Sequence, residues 1–235
     1  MPKILRCRVT EILEHGERVY SLFMKPESPA PRFRPGQYLN LALDEYVPGN
    51  ARPDSRSFSI ASSPAERQLL RITYAVKGQF STRMEAELHV GRQVWVEMPY
   101  GEFTINDEED VCLLAGGTGV TAFTAFLAGL PADHPYNVYF FYGVRCPDLL
   151  IYRSLVDAAA RRSPNLQVHF LVEQDAAGTD FLPGLIDAGT VFALVPKPLS
   201  LTYYLAGPPV MIQAITAGLR QRGLAEAQIV ADAWG

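Results

Sequence analysis

The sequence is poor in the groups that metal and thiol chemistry require. It has three cysteines, Cys7, Cys112 and Cys146, far apart and odd in number, with no CxxC pair among them. An iron–sulfur cluster held by cysteine takes four thiolates, more than this sequence has. The four histidines, His15, His89, His134 and His169, make no HExxH or other zinc spacing, so no metal ligand is assigned. No window reaches the roughly 18 apolar residues of a membrane span. The opening Met1-Pro2-Lys3-Ile4-Leu5-Arg6 lacks the apolar run and cleavage site of a secretory signal. Net charge is −4, from 21 basic and 25 acidic residues, and no basic run interleaves with aromatics, which argues against nucleic-acid binding. The expectation is a cytoplasmic protein whose redox chemistry, if it has any, belongs to an organic cofactor.

What is present divides the chain in two. With 235 residues, 48% of them hydrophobic, the sequence can bury the cores of two modest domains. Short, often alternating runs at 4–12, 19–24, 38–43, 56–61, 69–76 and 93–97 are punctuated by Pro35-Gly36, Pro48-Gly49-Asn50 and Pro99-Tyr100-Gly101. Six such strands at hairpin spacing predict an antiparallel six-stranded β-barrel, interrupted by a helix over 81–88. After Asp107-Glu108-Glu109-Asp110 the rhythm becomes strand–helix–strand. Apolar runs at 111–115, 138–142, 168–172, 201–206 and 229–231 alternate with helices expected over 120–130, 149–162 and 209–221. Fully apolar strands alternating with helices predict an α/β parallel sheet covered on both faces. The expected domains are 1–105 and 106–235.

Four segments carry candidate chemistry. Arg56-Ser57-Phe58-Ser59 puts a guanidinium suited to phosphate, an aromatic ring and two hydroxyls on one short strand. Lys77-Gly78-Gln79-Phe80-Ser81-Thr82 offers a glycine, two hydroxyls and a helix start to an anion. Gly116-Gly117-Thr118-Gly119 stands between an apolar strand and a helix, where glycines permit close approach of a pyrophosphate. Ala206-Gly207-Pro208-Pro209-Val210-Met211 ends a later strand and opens a helix at the same sheet edge. Each alone has an ordinary structural reading: a surface arginine, an N-cap, a glycine turn with no ligand, a proline-started helix.

In this order, the four segments resemble the ferredoxin–NADP⁺ reductase family, a flavin-binding barrel followed by a nicotinamide-dinucleotide domain. Phe33-Arg34-Pro35-Gly36-Gln37-Tyr38 and Pro99-Tyr100-Gly101-Glu102-Phe103 look like that family's early barrel strand and barrel exit. The resemblance implies Arg56 on the flavin pyrophosphate, Phe58 packed on the flavin, and Ser59 near its reactive N5, with Ser57 beside them. It implies a second pyrophosphate contact at Gly78, Ser81 and Thr82, and Tyr74 and Val76 join this cofactor-binding set. On the nicotinamide side it implies Gly117, Thr118 and Gly119, then Arg145 after the second strand, and Ala206, Gly207 and Pro208 in a motif that in the family reads Cys-Gly-Pro-Pro-x-Met. Ala206 replaces that motif's cysteine, and Ala122 stands where a proline often closes the glycine turn.

The chain is similar also to bacterial NAD(P)H:flavin oxidoreductases, through residues 56–64, Val172-Glu173-Gln174 and the ending Ala231-Asp232-Ala233-Trp234. Those enzymes treat flavin as a substrate, whereas Gly78, Ser81 and Thr82 favour a held FAD; FMN or an exchangeable flavin is the alternative. Glu173 and Asp175 would accept hydrogen bonds from a ribose 2′-hydroxyl and repel a 2′-phosphate, which favours NADH as co-substrate. NADPH remains the alternative through Arg145 or Arg153. Trp234 is read either as a catalytic gate on the flavin or as a packing aromatic. The expected activity is hydride transfer from NADH to bound FAD and electron transfer onward to a redox partner protein. The rivals are a free-flavin reductase and a non-catalytic flavin- or NADH-binding subunit. The acceptor and the oligomeric state are not legible.

Overall fold

The computed structural model describes residues 2–232; Trp234 lies outside the described residues. The chain forms two compact units, Met1–Thr104 and Ile105–Gly235.

The first unit contains β1 (Lys3–Glu14), β2 (Val19–Pro26), β3 (Tyr38–Ala42), β4 (Ser55–Ser59), β5 (Leu70–Ala75), α1 (Gln79–Glu87) and β6 (Gln93–Tyr100). They form one antiparallel sheet in the order β4-β3-β6-β1-β2-β5. Alternation along β1 explains its placement: Leu5, Cys7 and Val9 are buried while Arg6 and Arg8 face outward. The sheet curls into a near-barrel. Its edge strands β4 and β5 do not pair in a ladder; just beyond β4 the Ala61 N–H donates to the Arg71 carbonyl at 2.8 Å, and Arg71 Nη2 donates back to the Ala61 carbonyl at 3.0 Å. Leu22, Met24, Leu39, Leu41, Leu70, Ile72, Val94 and Val96 fill the interior, and α1 adds Phe80 and Met84. Burying each such side chain stabilises by about 1.5–3 kcal/mol.

Two segments flanking β3 and β6 lock together. Gln37 Nε2 donates to the Gly101 carbonyl at 3.1 Å, and the Tyr38 and Tyr100 rings stack at 5.6 Å. Gly36 has φ +92°, and a Cβ there would lie 2.3 Å from the Phe103 carbonyl oxygen.

The second unit contains β7 (Val111–Gly116), α2 (Thr121–Gly129), β8 (Val138–Val144), α3 (Arg153–Arg162), β9 (Leu166–Val172), β10 (Leu182–Pro183), α4 (Ala188–Leu194), β11 (Thr202–Ala206), α5 (Pro209–Gln221) and β12 (Ile229–Ala231). Its sheet runs β10-β9-β8-β7-β11-β12, and every pairing is parallel. All of β7 is buried, as expected of a central strand covered on both faces. Val191 of α4 and Ile215 and Leu219 of α5 pack on Cys112, Leu114 and Phe141. On the other face, Phe123 of α2 meets Phe140 edge-on at 6.0 Å. The chain builds outward from β7 to β10, then crosses back to β11 and β12. The strand order therefore switches between β7 and β11, where open α/β sheets bind ligands outside the carboxyl ends.

Two features differ from the sequence expectation. The helix expected over 149–162 begins only at Arg153, after a separate 3-10 turn at Pro147–Leu149. The Tyr142 hydroxyl donates to the Leu149 carbonyl at 3.1 Å, and the Arg153 N–H turns to Leu150 instead. Strand β10 and helix α4 were not anticipated. Helix α4 is nucleated by its cap, with Asp187 Oδ1 accepting from the N–H groups of Gly189 (2.7 Å) and Thr190 (3.1 Å). The Thr190 hydroxyl and those two N–H groups hold the Asp187 carboxyl below its ordinary range.

Among the described residues no helix is long and apolar enough to cross a membrane, and no group of His, Cys, Asp or Glu is placed to hold a metal ion.

Gly36→Ala is expected to destabilise the protein by about 3 kcal/mol, combining a left-handed backbone with a clash on Phe103. Gly49→Ala, at φ +91° with open space around it, is expected to cost only about 1 kcal/mol. Urea denaturation of the two variants measures the difference; equal losses would mean that the Phe103 carbonyl gives way.

Candidate functional site

In the first unit, folding brings the arginine strand to the start of α1. The Arg56 guanidinium carbon lies 5.1 Å from the ring centroid of Phe80, the second residue of α1. Through Nη1 it donates to Asp54 Oδ1 (2.5 Å) and to the Ser55 carbonyl (2.7 Å), and its side chain is 54% exposed. The N–H groups of Gln79, Phe80 and Ser81 open the helix without an intrahelical acceptor. A fixed cation and a set of backbone donors thus share one surface, the combination that suits a phosphate. Gly78 adopts φ −148° and ψ −177°, extended backbone open to any residue, and nothing lies within 4 Å of where its Cβ would be. Neither backbone geometry nor protein packing therefore requires glycine at that position.

The hydroxyls divide by role. Ser81 Oγ accepts from the N–H groups of Lys77 (2.9 Å) and Gly78 (3.1 Å) and donates to the Gly78 carbonyl, so it shapes the turn itself. Thr82 is exposed, and its N–H donates to the Gly78 carbonyl at 2.9 Å. Ser57 donates to Asn40 Oδ1 at 2.7 Å. Ser59, half-buried and paired with Tyr38, makes no side-chain hydrogen bond among the described residues. The aromatic candidates point inward: Phe58 meets Tyr74 edge-on at 6.2 Å, and Tyr74 stacks on Tyr20 at 5.6 Å. Tyr74 is 4% exposed, a core residue whose phenol pKa burial pushes up. The Val76 N–H donates to the Arg18 carbonyl at 3.0 Å.

In the second unit the candidates collect at the carboxyl edge of the parallel sheet. Ala115 of β7 and Ala206 of β11 are register partners, so the two turns that follow lie side by side. A Cβ on Gly119 would lie 2.3 Å from the Ala206 carbonyl oxygen, and one on Gly116 would lie 2.4 Å from Met211 Sδ. A Cβ on Gly207 would come within 3.1 Å of Gly116. These three glycines serve protein packing. Gly117 does not: it sits at φ +54° with nothing within 4 Å of its Cβ position, at the half-buried start of the 3-10 turn that leads into α2. The Thr121 hydroxyl donates to the Thr118 carbonyl at 2.8 Å and fixes the turn. Ala206 is 1% exposed, and Pro208 caps α5.

Arg145 and Glu173 follow β8 and β9 at the same edge. The N–H groups of Glu173 and Gln174 donate to the carbonyls of Val144 (3.1 Å) and Arg145 (2.8 Å), which brings the two loops together. Glu173 and Asp175 are exposed, and Asp175 adopts φ +60°. Arg153 is held within its unit, its guanidinium carbon 4.8 Å from the Phe181 ring and 5.8 Å from the Phe170 ring, with Asp157 and Asp180 nearby. Three residues of these sites were not singled out from the sequence. Asp54 pairs with Arg56, Phe80 lies beneath it, and Met211 fills the notch left by Gly116 and Gly207. Met211 and Phe80 lie within motifs legible in the sequence; Asp54 carries no signal beyond closeness to Arg56.

Comparison with known proteins agrees with this architecture. Residues 113–217 match the model of the oxidoreductase NAD-binding domain. The chain is 30% identical over 242 residues to a propane 2-monooxygenase reductase component of Rhodococcus jostii, covering 97% of this chain and 63% of that protein. It is 29% identical over 209 residues to an anthranilate 1,2-dioxygenase electron transfer component of Acinetobacter baylyi, covering 85% of this chain and 57% of that protein. The fold superimposes on the flavohem-like FAD/NAD-binding domain of a Vibrio cholerae nitric oxide dioxygenase with a TM-score of 0.83, at 20% identity and 97% coverage of each chain. Over most of its length the chain is similar to these reductase and electron-transfer components.

The roles of the glycines separate experimentally. Gly119→Ala should lower the thermal midpoint by several degrees, because the new methyl collides with Ala206. Gly78→Ala should leave the midpoint of the ligand-free protein unchanged, since its backbone and surroundings accept a methyl. Thermal melts of both variants check this, and a large loss in Gly78→Ala would contradict it.

Proposed function

We propose that this chain is an NADH-dependent flavoprotein reductase, taking hydride from NADH onto a held FAD and passing electrons to a separate redox partner. One observation carries the reading. Each unit has a glycine beside a helix start, Gly78 and Gly117, around which the protein leaves open space that its own packing does not use. Both lie where a phosphate would meet backbone N–H groups.

In the barrel unit, Arg56 and the first turn of α1 would hold the flavin phosphates, with Lys77 adding positive charge. Ser59 has an unengaged hydroxyl to offer the ring, and Phe58 packs from the barrel side. In the second unit, the Gly117 turn and Gly207-Pro208 would hold the dinucleotide at the strand-order switch. Glu173 and Asp175 disfavour a 2′-phosphate and so select NADH over NADPH. FAD, when bound, supplies the conversion of a hydride pair into single electrons. The chain spans about three fifths of the length of the curated relatives it matches, at 57% and 63% for the two named above. Those relatives are reductase or electron-transfer components of oxygenase systems, which supports an oxygenase component or a small electron carrier as the acceptor here. The reading places the protein in the cytoplasm, where NADH is supplied.

A second reading, a reductase of free flavin, draws on Ser81. Its hydroxyl is fully engaged within its own turn, which leaves backbone groups and Thr82 to grip a pyrophosphate and weakens the hold. Flavin that stays with the protein through desalting supports the held cofactor; complete loss supports the second reading.

With ferricyanide as acceptor, the protein should oxidise NADH in a flavin-dependent manner. Arg56→Ala should raise the FAD concentration needed for half-maximal activity roughly tenfold or more, the usual consequence of losing a charge-assisted phosphate contact. Activity independent of added or bound flavin would reject the proposal. Glu173→Ser combined with Asp175→Arg should shift the kcat/KM ratio toward NADPH; an unchanged ratio would remove these carboxylates from nucleotide selection.

A further inference from the structure

The hairpin turn between β1 and β2 is strained and lies outside the phosphate-binding segments. Gly16, Glu17 and Arg18 all adopt positive φ, at 86°, 50° and 59°. A left-handed backbone costs a residue other than glycine on the order of 1–2 kcal/mol, so Glu17 and Arg18 need compensation. Bonds across the turn supply part of it, from the His15 N–H to the Val19 carbonyl and from the Val19 N–H to the Gly16 carbonyl, each 2.9 Å. Arg18 adds to it, contacting another part of the unit at two points. Its carbonyl accepts from the Val76 N–H at 3.0 Å. Its guanidinium makes a forked pair with Glu85 on α1, Nε to Oε1 at 3.0 Å and Nη2 to Oε2. Tyr20, the second residue of β2, donates its hydroxyl to Glu85 Oε1 at 3.0 Å and stacks on Tyr74.

Val76 and Glu85 bracket the segment Lys77–Thr82. We propose that Arg18 and Glu85 act together as a positioning clamp for the flavin-phosphate segment, setting where Gly78 and the first turn of α1 stand relative to Arg56. The left-handed backbone at Arg18 turns its carbonyl to Val76 while its side chain reaches Glu85, so one residue fixes both ends of the segment. Neither side chain meets the flavin; both act through α1. The proposal rests on the flavin reading above and adds the residues that set the affinity for the phosphate portion.

The test is flavin affinity of the apoprotein, measured by fluorescence titration with FAD and by competition of riboflavin against FAD. Riboflavin has the ring but no phosphate. Arg18→Met and Glu85→Gln should each raise the Kd for FAD about two- to fivefold, in keeping with a partly exposed ion pair. The double variant should be no weaker than either single one, because the two side chains act as a unit. Riboflavin affinity should not change. Should Arg18→Met fail to fold, Arg18→Gly keeps the carbonyl and relaxes the backbone, and the same rise in the FAD Kd is expected. Unchanged FAD affinity in the single variants, additive losses in the double variant, or equal weakening of FAD and riboflavin would each overturn the clamp. Wild-type protein that binds neither flavin would overturn the flavin reading itself, and the clamp with it.

Discussion

The second unit depends on a contact that only glycine permits. The turns after β7 and β11 lie side by side because Gly116, Gly119 and Gly207 have no Cβ, and Met211 fills the notch between them. A methyl at Gly119 would overlap the Ala206 carbonyl, and one at Gly116 would overlap the Met211 sulfur. That contact holds the two central strands level at the point where the strand order reverses. It leaves Gly117 alone on the open side. The packing of the protein interior and the availability of the ligand edge are therefore one constraint.

The barrel unit solves a similar problem with charge and rings. Arg56 stands over Phe80, so a strand from one part of the chain and a helix start from another share a surface. Beneath them run Phe58, Tyr74 and Tyr20, ending at Glu85 and Arg18. A local bond network keeps the Lys77–Ser81 turn in shape, which frees the helix N–H groups to face outward.

Most of the fold was legible in the sequence because its periodicities are strong. The run 111–115 is short, wholly apolar and bounded by Asp110 and a glycine turn, which marks a strand buried on both faces, and the run 4–12 alternates about Leu5, Cys7 and Val9. Helix α4 was not legible. Ala188-Gly189-Thr190-Val191 has weak helix propensity, and what makes it helical is the Asp187 cap together with burial of Val191 against the sheet. The break before α3 was hidden for a similar reason, since it rests on a hydroxyl of Tyr142, several residues upstream of the broken helix. In the candidate sites, motif order singled out Arg56, Gly78 and Gly117. It could not separate Gly117, left open, from Gly116 and Gly119, needed for packing, because that distinction exists only once β11 lies beside β7. Nor could it show that Tyr74 is buried in the core or that Ser81 is engaged within its own turn.

The proposed function requires that hydride pass from NADH to FAD held by this one chain. Anaerobic rapid mixing of the FAD-loaded protein with NADH, followed by flavin absorbance, tests it most directly. The oxidised flavin band should be lost rapidly with one equivalent of NADH, and more slowly with NADPH. A flavin band that persists in excess NADH would contradict it and leave a protein that binds the two ligands without chemistry between them.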